Sequence, residues 1–256
     1  MRRLENNEIV LLQDNGCTST NWDLVKVADD FDISRVSHVS FAGNVQIGTI
    51  NGTVEVAEGF AKPCGLHNAT LRNVTIGDNC LIENVRGYIN NYYIGDGCYI
   101  CDVHSIETTS DASFGEGKVI SVLNEVGDGN VMIFDGLSSQ MAALMVKYEQ
   151  DKVFTSAIRS LIAKYIAERR KKTTTGTINN NVRIVNTGRI INCHIGSGCV
   201  IDSANRLEEC TLKSVPDAPV KIGTGAILES TVVYNGSTIN NNAKLENCFV
   251  GEACKI

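Results

Sequence analysis

Histidines and one run of cations are the residues best suited to chemistry in this 256-residue sequence. The histidines are His38, His67, His104 and His194. An imidazole titrates near neutral pH, so each is a candidate general base, provided it can reach an acceptor. His67 follows Pro63-Cys64-Gly65-Leu66, which reads as a loop, and is the best placed of the four for catalysis. His104 lies four residues after Ile100, at an internal position of the pattern described below. It is either a second catalytic candidate or a buried filler. His194 directly precedes Ile195 and is expected to point outward, and His38 falls near the first strand. The run Arg169-Arg170-Lys171-Lys172 ends a helical pattern. It reads either as a phosphate-binding site for a coenzyme or nucleotide, or as cations complementing the negative end of a helix dipole.

Composition narrows the function classes. Asp plus Glu number 29 against 23 Lys plus Arg, a net charge of −6. That argues against a nucleic-acid partner, which requires a basic face. No apolar run approaches the roughly 20 residues of a membrane span, and the N-terminus opens no signal peptide, so a cytoplasmic location is expected. Aromatic residues make up only 6%, which predicts a core of small and β-branched side chains.

The elements that must position these residues are set by a repeat. One template recurs seven times: an apolar residue, Gly, two variable residues, a small or polar residue, a spacer, and another apolar residue. Its copies open at Ile76-Gly77, Ile94-Gly95, Phe114-Gly115, Val126-Gly127, Ile195-Gly196, Ile222-Gly223 and Val250-Gly251. In the first half the apolar anchors fall at Ile76, Ile82, Tyr88, Ile94, Ile100 and Ile106, then at Phe114, Ile120, Val126 and Met132. In the second half they run from Ile178 through Ile184, Ile190, Ile195, Ile201 and Leu207 to Ile256, in steps of six, six and five. A surplus around residues 214–219 contains two of the three prolines and predicts a loop. Three anchors per turn imply three short strands wound into a triangular prism whose coils stack about 4.8 Å apart. The glycine after each anchor suits a corner with positive φ or a close backbone approach. Asn84, Asn90, Asn91, Asn192 and Asn247 near the corners suit left-handed backbone.

Seven of ten cysteines follow the same frame. Cys80, Cys98, Cys199 and Cys254 share one slot, and Cys193, Cys210 and Cys248 share another. Such placement predicts packing rather than disulfides, since free Cys behaves as a small hydrophobe. Cys98-x-x-Cys101 has metal spacing but no matching second pair, and no metal site is expected.

Ile94-Gly95-Asp96-Gly97-Cys98-Tyr99 and Ile195-Gly196-Ser197-Gly198-Cys199-Val200 resemble the hexapeptide-repeat family. That resemblance covers roughly residues 39–132 and 176–256 and implies a left-handed parallel β-helix, a mainly β fold. The whole chain is also similar to the N-terminal part of a bacterial family of longer hexapeptide-repeat proteins of unknown function. The superfamily resemblance implies acyl transfer to a sugar or sugar nucleotide. The donor would be acyl-CoA or an acyl-carrier thioester, a histidine would be the base, and the site would lie between subunits of a homotrimer or other homo-oligomer. His67, and after it His104, would take the role of base. A non-catalytic scaffold or oligomerisation module is the competing expectation, because no histidine motif of the family matches residue by residue. A third is the β-helical part of a sugar nucleotidyltransferase, whose Gly-rich nucleotide loop is absent here. The three closely placed histidines of the family's zinc carbonic anhydrases are not matched.

Four segments are expected. Residues 1–35 form a helical cap, with helices over 5–15 and 21–30. Residues 36–135 form the first part of the β-helix. Residues 136–175 form an inserted helical pair broken near 149–152, and residues 176–256 form the second part. The last copy stops within a coil, which predicts that it continues in a longer protein or is covered by a partner.

Overall fold

The computed structural model describes residues 1–121, 129–172 and 174–256, with Lys171 and Lys172 described in backbone only. The protein is mainly β, built on one 19-stranded, almost entirely parallel sheet. Its strands stack in three ladders, giving a parallel β-helix-like arrangement. One ladder aligns Val36, Leu66, Ile82, Ile100, Ile184, Ile201, Ile222 and Ile239. A second aligns Phe41, Leu71, Ile89, Ile106, Ile190, Leu207, Leu228 and Leu245. The third aligns Val27, Ile47, Ile76, Ile94, Ile178, Ile195, Leu212, Val233 and Val250. Every one of these side chains is buried in a single contiguous core. Each stabilises the fold by roughly 1.5–3 kcal/mol through removal from water.

Corner chemistry explains the glycines and asparagines. Asn84, Asn91, Asn192 and Asn247 have φ between 52° and 58°, as the left-handed corners require, whereas Asn90 lies in an ordinary strand. Gly77 and Gly95 are not left-handed. A Cβ there would strike Asp96 and Asn180 of the following coil, so close approach is what demands glycine. The same neighbours tie coil to coil: the amide of Asp78 donates to Asp96 Oδ1 at 2.8 Å, and that of Asp96 to Asn180 Oδ1 at 3.0 Å.

Several anchors are placed differently from expectation. Ile89, not Tyr88, points inward; Tyr88 is 40% exposed and donates its hydroxyl to Glu107. The first-half coil therefore steps by seven at that corner. The described residues of the copy at Phe114 and of the one ending at Met132 stack in none of the three ladders. Val119–Ser121 pairs antiparallel with Asn130–Met132 in a separate hairpin, while Val126 and Gly127 lie outside the described residues. The reason is register: Ile178 stacks directly on Ile94, so no ladder position is left for residues between. The insert thus runs from about residue 109 to 175, not from 136, and interrupts the step from Ile106 to Ile178. Without residues 109–175 that step would be five residues, as it is from Ile89 to Ile94.

Helix α1 (Asn6–Asp14) forms the expected first helix, closed by a capping box between Glu5 and Glu8 and by Arg2 pairing with Glu8 at 2.7 Å. The expected second helix over 21–30 is absent. Trp22–Leu24 makes one 3₁₀ turn, and Val25–Val27 then alternates buried, exposed, buried and pairs parallel with residues 45–47. Burial on the end of the third ladder outweighs a weak helical pattern. In the insert, α2 (Ser139–Lys147) and α3 (Lys152–Lys172) break where expected. They pack Met145, Ile162 and Ile166 against Val131, Phe134 and Leu137 in a second small core. A further hairpin, Thr53–Ala57 with Phe60–Pro63, covers Leu81, Tyr99, Cys101 and Val185. Residues 214–219 leave the prism as a loop closed by a Val215–Ala218 bridge. No helix among the described residues is long and apolar enough to cross a membrane.

All ten cysteines are free thiols; eight are buried and only Cys248 and Cys254 are half-exposed. Cys193 and Cys210 stack in register inside the prism. Cys98 faces the prism core while Cys101 faces the outer hairpin, so the Cys-x-x-Cys pair does not converge. Alkylation of the folded protein is expected to modify at most Cys248 and Cys254, and all ten after denaturation. Intact-mass measurement checks this, and rapid loss of more thiols in the folded state would contradict it.

Candidate functional site

The outward faces of three neighbouring strands meet the insert in a polar cleft. In Arg189–Ile195, Cys193 and Ile195 point inward and His194 points out. Register places Thr177 and Thr211 beside it on the adjoining strands. The Nδ1 of His194 lies 2.9 Å from Thr177 Oγ1, and the ring stacks on Phe114 with centroids 3.7 Å apart and planes 19° from parallel. Thr211 donates its hydroxyl to the Phe114 carbonyl at 2.8 Å. Phe114 is held in turn by Glu209, whose Oε2 accepts from the Phe114 amide at 2.7 Å and from both the amide and hydroxyl of Ser113 at 2.6 Å.

The opposite wall comes from the insert. Arg169 on α3 pairs with Glu116 at 2.9 Å and also with Asp135. Asp135 accepts from the Tyr165 hydroxyl at 3.0 Å, and its carbonyl accepts from Lys213 Nζ and the Tyr234 hydroxyl, each at 2.6 Å. Of these groups Arg169, Asp135 and Lys213, together with Thr177, His194, Thr211, Asn179, Ser214 and Asn235, line an open cleft of about 370 Å³. Burial, reinforced by the Arg169 charge, holds the His194 imidazole down to about 4, so it is neutral near pH 7. Burial pushes the Glu116 carboxyl up, and pushes the Tyr234 hydroxyl up to about 12.

The sequence-predicted residues are dispersed. His67 lies on strand Gly65–Ile76 rather than in a loop, because Gly65, Leu66 and His67 are in register with Leu81, Ile82 and Glu83. Its Nδ1 meets Ser37 Oγ at 2.9 Å, and burial lowers its pKa against the pull of Glu83. Glu83 is itself occupied by Lys62 at 2.7 Å and by the Tyr99 hydroxyl at 3.1 Å. His104 is exposed and not a core filler: Asp102 takes a left-handed corner, which turns Val103 inward and His104 out. His38 is exposed as well. Of the cationic run, Arg169 reaches the cleft, while Arg170 donates to the carbonyls of Ser113 and Glu116 at 3.4 and 3.3 Å. The side chains of Lys171 and Lys172 lie outside the described residues. Sequence reasoning placed His194 outward but missed that it is covered. The shared slot of Thr177, His194 and Thr211, each directly before a third-ladder anchor, was the available signal.

A protein of Treponema pallidum (strain Nichols), described only as "Uncharacterized protein", is 28% identical over 249 residues, covering 93% of this chain. The chain spans 34% of the length of that curated relative. The family model "Domain of unknown function (DUF4954)" matches residues 1–256, and the chain belongs to that family.

Proposed function

We propose that this module is a left-handed β-helical transferase of the hexapeptide-repeat type, acting in the cleft around His194. It would move an acyl group from a thioester, such as acyl-CoA or an acyl-carrier thioester, to a hydroxyl or amine of a sugar or sugar nucleotide. His194 rather than His67 or His104 is the base. The observation that carries this reading is a neutral imidazole, fixed by Thr177, in one cleft with Arg169 and Lys213. The imidazole takes the acceptor proton as the acceptor attacks the thioester carbonyl, and the thiolate leaves and is protonated. An imidazole near 4 is a weak base. A phosphate-bearing ligand against Arg169 and Lys213 would raise it toward the working range, as a nearby anion favours the charged form.

One observation favours the second reading, a non-catalytic scaffold: Arg169 and Lys213 are already engaged by Glu116 and Asp135. A screen of acetyl-CoA with sugar nucleotides, following thiol release, separates the two. Under the transferase reading His194→Ala lowers turnover by about 10²–10⁴-fold, the range for losing a general base, and His67→Ala leaves it nearly unchanged. Loss with His67→Ala alone would move the base to that strand, and no turnover with any acceptor would leave the scaffold reading.

A further inference from the structure

The insert and the prism each have a hydrophobic core of their own. The prism needs nothing from residues 109–175, since Ile106 and Ile178 stand in consecutive ladder positions. The described part of the insert has its own core around Phe134, Met145, Ile162 and Ile166. Between them lies a seam of polar and ring contacts, together with Phe249, which packs from the prism against the insert's core. His194 stacks on Phe114, Thr211 and Glu209 hold residues 113–114, and Lys213 and Tyr234 hold Asp135.

We propose that this seam is an acid-sensitive latch: protonation of His194 releases the insert from the prism and parts the two walls of the cleft. The charged groups facing the imidazole fix the sign. Lys213 comes from the adjoining strand, while Arg169, Arg170, Asp135 and Glu116 come from the insert. The imidazole is stacked on the Phe114 ring, and the Arg169 charge opposes a second positive charge there. Released, His194 sits on an open strand face and regains an ordinary imidazole affinity for protons, so acid favours the released state. The relevant window runs from about 6.5 down to about 4. Glu116 acts in the opposite sense. Its carboxyl is raised by burial, so protonation there favours the docked state and limits release at the acid end of the window. The latch concerns docking alone and does not depend on the transferase reading.

Hydrogen exchange of the full chain, corrected for the intrinsic pH dependence of exchange, tests this at pH 7.5 and pH 5. Exchange through residues 109–121 and 129–172 is expected to rise about tenfold at pH 5 while the ladder strands stay protected. His194→Asn keeps an amide where Nδ1 meets Thr177 but cannot take the proton, and is expected to abolish the rise. If insert and ladders lose protection together, or if His194→Asn keeps the full response, the latch is wrong. A second measurement uses the unaltered protein: the His194 ring resonance is expected to titrate well below its ordinary midpoint. Titration near 6.5 would also overturn the proposal.

Discussion

Truncating Ile190 to alanine is expected to lower the unfolding free energy by about 3–4 kcal/mol, within the range for deleting a buried aliphatic side chain. Ile190 is fully buried and stacks between Ile106 on one coil and Leu207 on the other. The prism is narrow, and hydrogen bonds lock its backbone on both sides of the strand, so the lining cannot collapse to fill the space. Most of the cavity cost is therefore kept in addition to the lost transfer energy. The position adds a second effect. Ile106 is the last anchor before the insert, and Ile190 is its partner in the ladder that bridges it. A weakened contact there loosens the junction of the two halves of the prism, so a separate early transition is expected in urea. The neighbouring Arg189→Ala, on the exposed face, serves as the control and is expected to cost less than about 0.5 kcal/mol. A loss below about 1 kcal/mol for Ile190→Ala would contradict the ladder packing.

Replacing Arg169 with alanine is expected to be nearly as damaging, by a different route. Arg169 is the cation on Glu116, whose side chain is 3% exposed, and on Asp135, at 14%. Breaking a buried pair from one side costs about 3–5 kcal/mol, because the remaining charge stays in a poor solvent. Arg169 itself is 36% exposed, so the figure is discounted to about 2–3 kcal/mol. The two carboxylates would then repel each other, and the insert would detach before the prism unfolds. Proteolysis within residues 109–175, with the ladders intact, is the expected readout. Glu116→Gln in the Arg169→Ala background removes one of the stranded charges and is expected to recover about half of the loss. No recovery would mean that the arginine acts by packing its stem rather than by its charge.

The fold was legible in outline because the prism is locally encoded. An anchor every five to seven residues, a glycine where coils approach closely and an asparagine at a left-handed corner are each properties of a short segment. Ladder register then follows from apolar spacing, and the cysteine slots follow from register. The misreadings share one cause. Tyr88 and Ile89 are adjacent and both large, so spacing alone did not decide which faces inward. Phe114 and Met132 matched the template but had no coil to stack on. Val25–Val27 read as part of a helix until the free end of the third ladder gave it a partner.

The cleft was far less legible. Phe114, Asp135, Arg169, His194 and Lys213 are spread over a hundred residues, and no local pattern links a helix terminus to a strand face. The sequence by itself determined the repeat, the inward ladders, the corner residues and the packing role of most cysteines, since each depends on neighbours a few residues away. Only the tertiary structure decided where the insert begins, which histidine it covers and which carboxylates Arg169 meets. Those outcomes depend on how a 67-residue excursion folds back onto the prism. That docking is settled by desolvation and charge pairing between surfaces far apart in the chain.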